Sequence, residues 1–198
     1  MIKNYIFDLG NVVLILEWDK VLNKYNITNE EKELLRKHVF NSKEWELLDE
    51  GVISKEEAIK IMKSNLPEKL HQYCIDIMDT WKEGLTINNE IVELIKEIKN
   101  KGYNTYVLSN APIEIDDFLK QNNLTKLFDG IILSAFEKLV KPNKEIYKLI
   151  LNKFDLKAKE SFFIDDKLEN VEAAKKLEID AFQFDYKNIE ALKDYINL

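Results

Sequence analysis

The sequence predicts an α/β protein, a parallel sheet covered by helices, with a small helical bundle inserted after the first strand. Three observations predict it. From Asn88 onward, helical stripes alternate with short apolar runs, the pattern of a parallel sheet. Between about Glu17 and Gly84 the periodicity is helical, with no convincing strand. Lastly, Ile6-Phe7 run straight into Asp8-Leu9-Gly10-Asn11, and Ser161-Phe162-Phe163-Ile164 into Asp165-Asp166, so two distant apolar segments end alike in carboxylates.

Taken in order, the first element is a strand ending at Asp8. The helical stretch then carries Trp18, Val21, Leu22 and Tyr25 at helical spacing, followed by Leu34, Leu35, Val39 and Phe40. Thr28 to Glu31 and Ser54 to Glu57 fit capping boxes, in which the hydroxyl caps the helix and the glutamate three residues on reaches back. The second box opens a helix whose predicted apolar face is Ala58, Ile59, Ile61 and Met62. Pro67 opens another, with Leu70, Tyr73, Cys74, Ile77, Met78 and Trp81. Ile91, Leu94, Ile95 and Ile98 form a stripe that stops at Lys101-Gly102. Strands are then expected at 103–108, 130–133, 162–164 and 181–184, with helices at 113–121, 144–154 and 170–177. The division expected is a core of residues 1–15 and 87–198 and a helical insertion of residues 16–86, hinged near 15–17 and 84–88.

Composition narrows the function. A chain of 198 residues, 45% hydrophobic and 33% charged, can bury a proper core. Its net charge of −7 argues against a general nucleic-acid or anionic-membrane binder, leaving a small-molecule substrate and a monomer or homodimer as the expectation. Cys74 is the only cysteine, so no intrachain disulfide can form. The apolar run from Val12 to Leu16 follows Asp8 and Asn11 and lacks a small-residue cleavage site. No run approaches the ~20 apolar residues a membrane span needs, so the expected location is cytoplasmic.

Four strand ends or following turns carry polar groups: Asp8, Ser109-Asn110, Lys141 and Asp165-Asp166. Each alone suits a turn or cap, since Asp, Asn and Ser form both. Together they supply a nucleophilic carboxylate, a hydroxyl donor, a cation and a metal-binding pair, the set that phosphoryl transfer needs. Strands side by side would gather three carboxylates, and that much negative charge is costly without a cation. Mg²⁺, which prefers oxygen ligands, is the simplest one.

In order and spacing these segments resemble the motifs of the haloacid dehalogenase superfamily over nearly the whole chain: Phe7-Asp8-Leu9-Gly10-Asn11-Val12, Val107-Leu108-Ser109-Asn110, Lys141-Pro142, and Phe163-Ile164-Asp165-Asp166 through Asn170. The resemblance implies a Rossmann-like core, and the insertion looks like the C1 cap of subfamily I. It implies a Mg²⁺-dependent phosphatase in which Asp8 forms an aspartyl-phosphate. Asp8 and Asp166 would bind the metal through side chains, residue 10 through its carbonyl, and Asp165 directly or through water. Ser109 would hold phosphate oxygens and Lys141 would stabilise their charge, with Asn170 orienting the loop; Asn110 would serve either the substrate or a helix cap.

One position departs from that family. Its phosphatases usually carry a second aspartate two residues after the nucleophile, as acid and base, and here Gly10 stands there. Such a loss costs a factor of roughly 10²–10⁴. A sugar phosphate with a good leaving group would need the acid less, and the Asp-Leu-Gly-Asn-Val form looks similar to the bacterial branch containing α-D-glucose-1-phosphate phosphatase. An acid from the insertion, with Glu17 and Asp19 near its hinge, or a metal-bound water would also serve. The rivals are a metal-independent 2-haloacid dehalogenase, for which Arg36 is the one arginine to hand, and a phosphate-binding module without turnover.

Overall fold

The computed structural model of the chain, described for residues 1–196, enters through β1 (Asn4–Phe7), turns, and makes β2 (Leu14–Leu16). Five helices follow: α1 (Trp18–Leu22), α2 (Asn29–Leu35), α3 (Lys43–Glu50), α4 (Lys55–Ser64) and α5 (His71–Thr80). After β3 (Leu85–Ile87) come α6 (Asn89–Asn100), β4 (Asn104–Ser109), α7 (Glu114–Gln121), β5 (Gly130–Leu133) and α8 (Ser134–Glu137). The chain closes with α9 (Lys144–Lys153), β6 (Ser161–Asp165), α10 (Leu168–Lys175), β7 (Asp180–Gln183) and α11 (Ile189–Ile196).

Five strands form one parallel sheet in the order β5-β4-β1-β6-β7. From the central β1 the chain builds outward through β4 and β5 on one side, then returns to lay down β6 and β7 on the other. Open α/β sheets bind ligands outside the carboxyl ends of the strands where the order reverses, which here is the end of β1. Both faces of the sheet are apolar, as a parallel sheet between helices requires. Tyr5 and Phe7 of β1 join one buried cluster with residues of α6, α7 and the helical stretch; Ile6 joins the other, with Tyr147 and Ile150 of α9. Burying a side chain such as Ile6 or Phe7 contributes about 1.5–3 kcal/mol.

Both capping boxes form, each with its hydroxyl accepting from the glutamate N–H and its glutamate accepting from the cap N–H. The stripe through Val39 and Phe40 is carried by α2 and a π-helical turn, Arg36–Phe40. Three features depart from the sequence expectation. Residues 14–16 and 85–87 pair antiparallel as a separate ribbon, so the helical stretch leaves and rejoins the sheet at one point. Ile61 turns outward, 40% exposed, because the buried face of α4 is formed by Ala58 and Met62. The helices α8 and α11 are additional to the expected elements. Among the described residues, no helix is long and apolar enough to cross a membrane.

Candidate active site

Asp8 is the first residue past β1, and its N–H continues the sheet ladder by donating to Ile164 O at 2.9 Å. Its Oδ1 accepts from the Leu9 N–H at 2.7 Å, which fixes the carboxylate at the strand end. Lys141 reaches between two strands: its Nζ lies 2.9 Å from Asp8 Oδ1 and 2.6 Å from Asp165 Oδ2. All three are buried, with 7% of Asp8, 4% of Lys141 and none of Asp165 exposed. Burial works against the lysine's charge, but the two carboxylates outweigh it and raise its pKa above the ordinary lysine value.

Asp165 spends its oxygens inside the protein. Besides Lys141, its carboxylate accepts from the Lys167 N–H at 2.8 Å and from Asn170 Nδ2 at 2.9 and 3.1 Å. Asn170 is held in turn by Tyr147, whose hydroxyl donates to its carbonyl at 3.0 Å. Asp166, half-buried beside it, accepts from Asn11 Nδ2 at 3.0 Å. Asn11 sits at φ 53°, a left-handed conformation that asparagine tolerates better than most residues, and its Oδ1 accepts from Leu16 N–H.

Ligand oxygens of Asp8, Asp165 and Asp166 all lie within 4.8 Å of one another. Among the described residues, Lys141 is the cation at ion-pair distance, from Asp8 and Asp165. Burial, foremost, and the Asp165 charge push the Asp8 carboxyl up to about 6 against the pull of Lys141 and Ser109. Burial likewise raises Asp166, with Asn11 opposing. An all-oxygen set with excess negative charge suits a hard divalent cation. Asn170 Oδ1, buried and without a partner, is a further free acceptor beside the cluster.

Ser109, at the end of β4, is buried close enough to Asp8 to favour its charged form. Asn110 brackets the backbone of Lys141, its Nδ2 donating to the carbonyl at 2.9 Å and its Oδ1 accepting from the N–H at 2.8 Å. The helix-cap use of Asn110 is therefore not realised: α7 begins at Glu114, and its N-cap position is Ile113, which makes no side-chain cap. Gly10 lines the same cavity as Asp8, Ser109, Asn110, Lys141, Asp166 and Asn170.

That cavity, about 570 Å³, is walled on its far side by the helical stretch. Trp18, Phe40, Trp45 and Trp81 both line it and pack together; Trp18 stacks on Phe40 at 4.5 Å, and Trp45 meets Trp81 edge-on at 5.2 Å. The wall and the local core are thus one aromatic cluster. Arg36 is elsewhere, paired with Asp19 at 2.5 Å and Glu33 at 3.3 Å. Glu17 accepts from the Thr86 hydroxyl, so Glu17 and Asp19 are both engaged with partners other than Asp8.

Asn11, Ser134 and Asp49 went unremarked as site residues in the sequence. Ser134 follows β5 directly, a strand-end position like the others, and this was its signal. Its hydroxyl accepts from Ala111 N–H at 2.9 Å and donates to the carbonyl of Asp49, joining α3 to the loop after β4. Asp49, also on the cavity wall, stands in an acidic helix and carries no such signal.

With the geometry in view, the sequence profile of the haloacid dehalogenase-like hydrolases matches residues 6–184. The chain is similar to a sesquiterpene phosphatase of Aspergillus oryzae, 30% identical over 178 residues that span 87% of this chain and 84% of that protein. It is also similar to a D-ribitol-5-phosphate phosphatase of Bacteroides thetaiotaomicron, 25% identical over 200 residues and 92% of each chain. The fold matches a haloacid dehalogenase family enzyme of Bacteroides thetaiotaomicron in complex with magnesium and inorganic phosphate, at a TM-score of 0.67 and 23% identity over 92% of this chain and 93% of that one.

Proposed function

This chain belongs to the haloacid dehalogenase-like hydrolase family, and from that premise we propose that it is a Mg²⁺-dependent phosphatase of small phosphorylated metabolites, working through an aspartyl-phosphate on Asp8. One observation carries the reading: three carboxylates converge around a single buried lysine at the carboxyl edge of the sheet. Asp8, Asp166 and the Gly10 carbonyl would hold the ion. The engagement of Asp165 with Lys141, Lys167 and Asn170 supports an indirect part for it. Bound there, Mg²⁺ would neutralise the cluster and screen the approach of an anionic phosphate to an anionic nucleophile.

The chain's own groups supply the rest. Asp8, fixed by the Leu9 N–H, presents one carboxylate oxygen to phosphorus. Lys141 balances charge as it gathers on the phosphoryl oxygens, and Asn110 keeps its backbone in register. Ser109 donates to a phosphate oxygen. Residues 1–15 and 87–198 act as the catalytic core and residues 16–86 as the cap, which excludes water and meets the remainder of the substrate.

The aromatic wall supports a leaving group with an apolar face. A sugar phosphate offers the face of its ring and an isoprenoid phosphate its chain, and the two relatives above are named for ribitol 5-phosphate and a sesquiterpene. Arg36, committed to Asp19 and Glu33, supports phosphorus rather than a haloacid carbon as the point of attack. Hydrolysis of p-nitrophenyl phosphate that requires Mg²⁺ and disappears in Asp8→Asn tests the reading. Halide release from 2-chloropropionate in EDTA, without phosphatase activity, overturns it.

A further inference from the structure

Phosphatase chemistry leaves one task unassigned here, protonation of the leaving oxygen, because position 10 is glycine. Backbone geometry does not demand that glycine. Gly10 has no left-handed φ, and an added Cβ would meet only Leu16 Cδ1, at 3.5 Å.

On the part of the cavity wall that the helical stretch supplies stands Asp49, in the last turn of α3. Its Oδ1 is buried and hydrogen-bonds to nothing, a condition shared among the described residues by one other side-chain atom, Asn170 Oδ1. Its backbone, by contrast, is firmly placed. The Ser134 hydroxyl donates to its carbonyl. Two residues on, Gly51 adopts φ 72° and presses so closely on α8 that an added Cβ would lie 2.1 Å from Ala135 O. The helix end is seated against the core while the carboxyl tip is left without a partner. Burial above all pushes this carboxyl up to about 8; Lys167 pulls the other way, and Asp8, Glu46 and Glu114 add to the rise. That rise favours the protonated form, the state a general acid needs.

We propose that Asp49, contributed by the helical insertion, is the general acid and base of this site in place of the residue missing at position 10. The proposal rests on the phosphatase reading above. As Asp8 attacks phosphorus, the bond from phosphorus to the leaving oxygen breaks with its electron pair on that oxygen, which takes the Asp49 proton and departs as an alcohol. Asp49, now a carboxylate, takes a proton from the water that attacks the aspartyl-phosphate. The bond from phosphorus to Asp8 then breaks, which releases inorganic phosphate and restores Asp8 as a carboxylate and Asp49 as an acid.

Two substrates of similar bulk and the Asp49→Asn variant test this. p-Nitrophenyl phosphate releases a stable phenolate, whereas p-nitrobenzyl phosphate releases an alkoxide that must be protonated. In the first turnover with Mg²⁺, the loss on the benzyl ester should exceed that on the phenyl ester by ~10²–10⁴-fold. Phosphoenzyme should accumulate, because its hydrolysis has lost a base, and Gly10→Asp added to the variant should recover the benzyl rate. Equal losses on both esters, or no loss on the benzyl ester, overturn the proposal. A second readout needs neither metal nor turnover: ¹³C-carboxyl titration of the metal-free protein should show a group titrating near 8 that Asp49→Asn removes, and its absence overturns the assignment. Wild-type protein that cleaves neither ester in an Asp8-dependent way overturns the phosphatase reading, and the acid role with it.

Discussion

The two walls of the cavity are built on opposite plans. At the sheet edge, Asp8, Lys141, Asp165 and Asn170 hold one another through charge-assisted hydrogen bonds, and only Asn170 Oδ1 is left over. On the helical side, Trp18, Phe40, Trp45 and Trp81 pack by shape, and the half-buried Asp49 has a buried, unpaired oxygen. A wall locked by charge can change little without losing its chemistry. A wall held by apolar packing tolerates changes of side chain.

Removing the proposed nucleophile, Asp8, should break this contrast most severely. Asp8→Asn is expected to lower kcat on p-nitrophenyl phosphate by roughly 10⁴-fold or more, without loss of folded structure by circular dichroism. Next comes Lys141→Ala, expected to cost ~10²–10³ in kcat. Because it strands two buried carboxylates, it should also destabilise the metal-free fold by about 3–5 kcal/mol in urea titrations. The opposite wall should respond differently: Trp45→Ala, at a half-buried position, should cost about 1–3 kcal/mol of stability and raise KM more than it lowers kcat. Comparable kcat losses from the lysine and tryptophan variants would erase the distinction.

Acidity separates the walls further. In the folded, metal-free protein Asp8 is raised to about 6 and Asp49 to about 8, against about 3.9 for an unfolded aspartate. Folded protein therefore holds these protons more tightly. The stability they lend is complete below the unfolded value and is lost as pH rises through 6 and then 8. In EDTA the urea midpoint should fall over that range. Mg²⁺ should remove the lower part of the fall and Asp49→Asn the upper part. The smallest effect is expected at the joint between the walls: Ser134→Ala removes the hydroxyl shared by Asp49 and Ala111 and should cost about 1 kcal/mol.

Much of this was legible in the sequence, because its dominant signals are local. Apolar runs ending in Asp8 and Asp165 gave the strands and their edge, and Thr28-Glu31 and Ser54-Glu57 gave two helix starts to the residue. Three-residue strands are too short to show a period, so the ribbon of β2 and β3 was invisible. Asp49 lay hidden for another reason. Its helix surrounds it with Glu44, Glu46 and Glu50, and only the docking of α3 on α8 distinguishes it from its neighbours. Asn110 likewise shows its partner, the Lys141 backbone, only in three dimensions.

The ribbon carries a consequence for how such a chain can be rebuilt. Leu16 and Leu85 face each other across an antiparallel pair, so everything between them occupies the place of a hairpin turn. Residues of another fold, or a two-residue turn, could be spliced in there without altering the spacing of any sheet strand. In that geometric sense the sheet and the helical stretch are joined through one ribbon, although their side chains share one buried cluster.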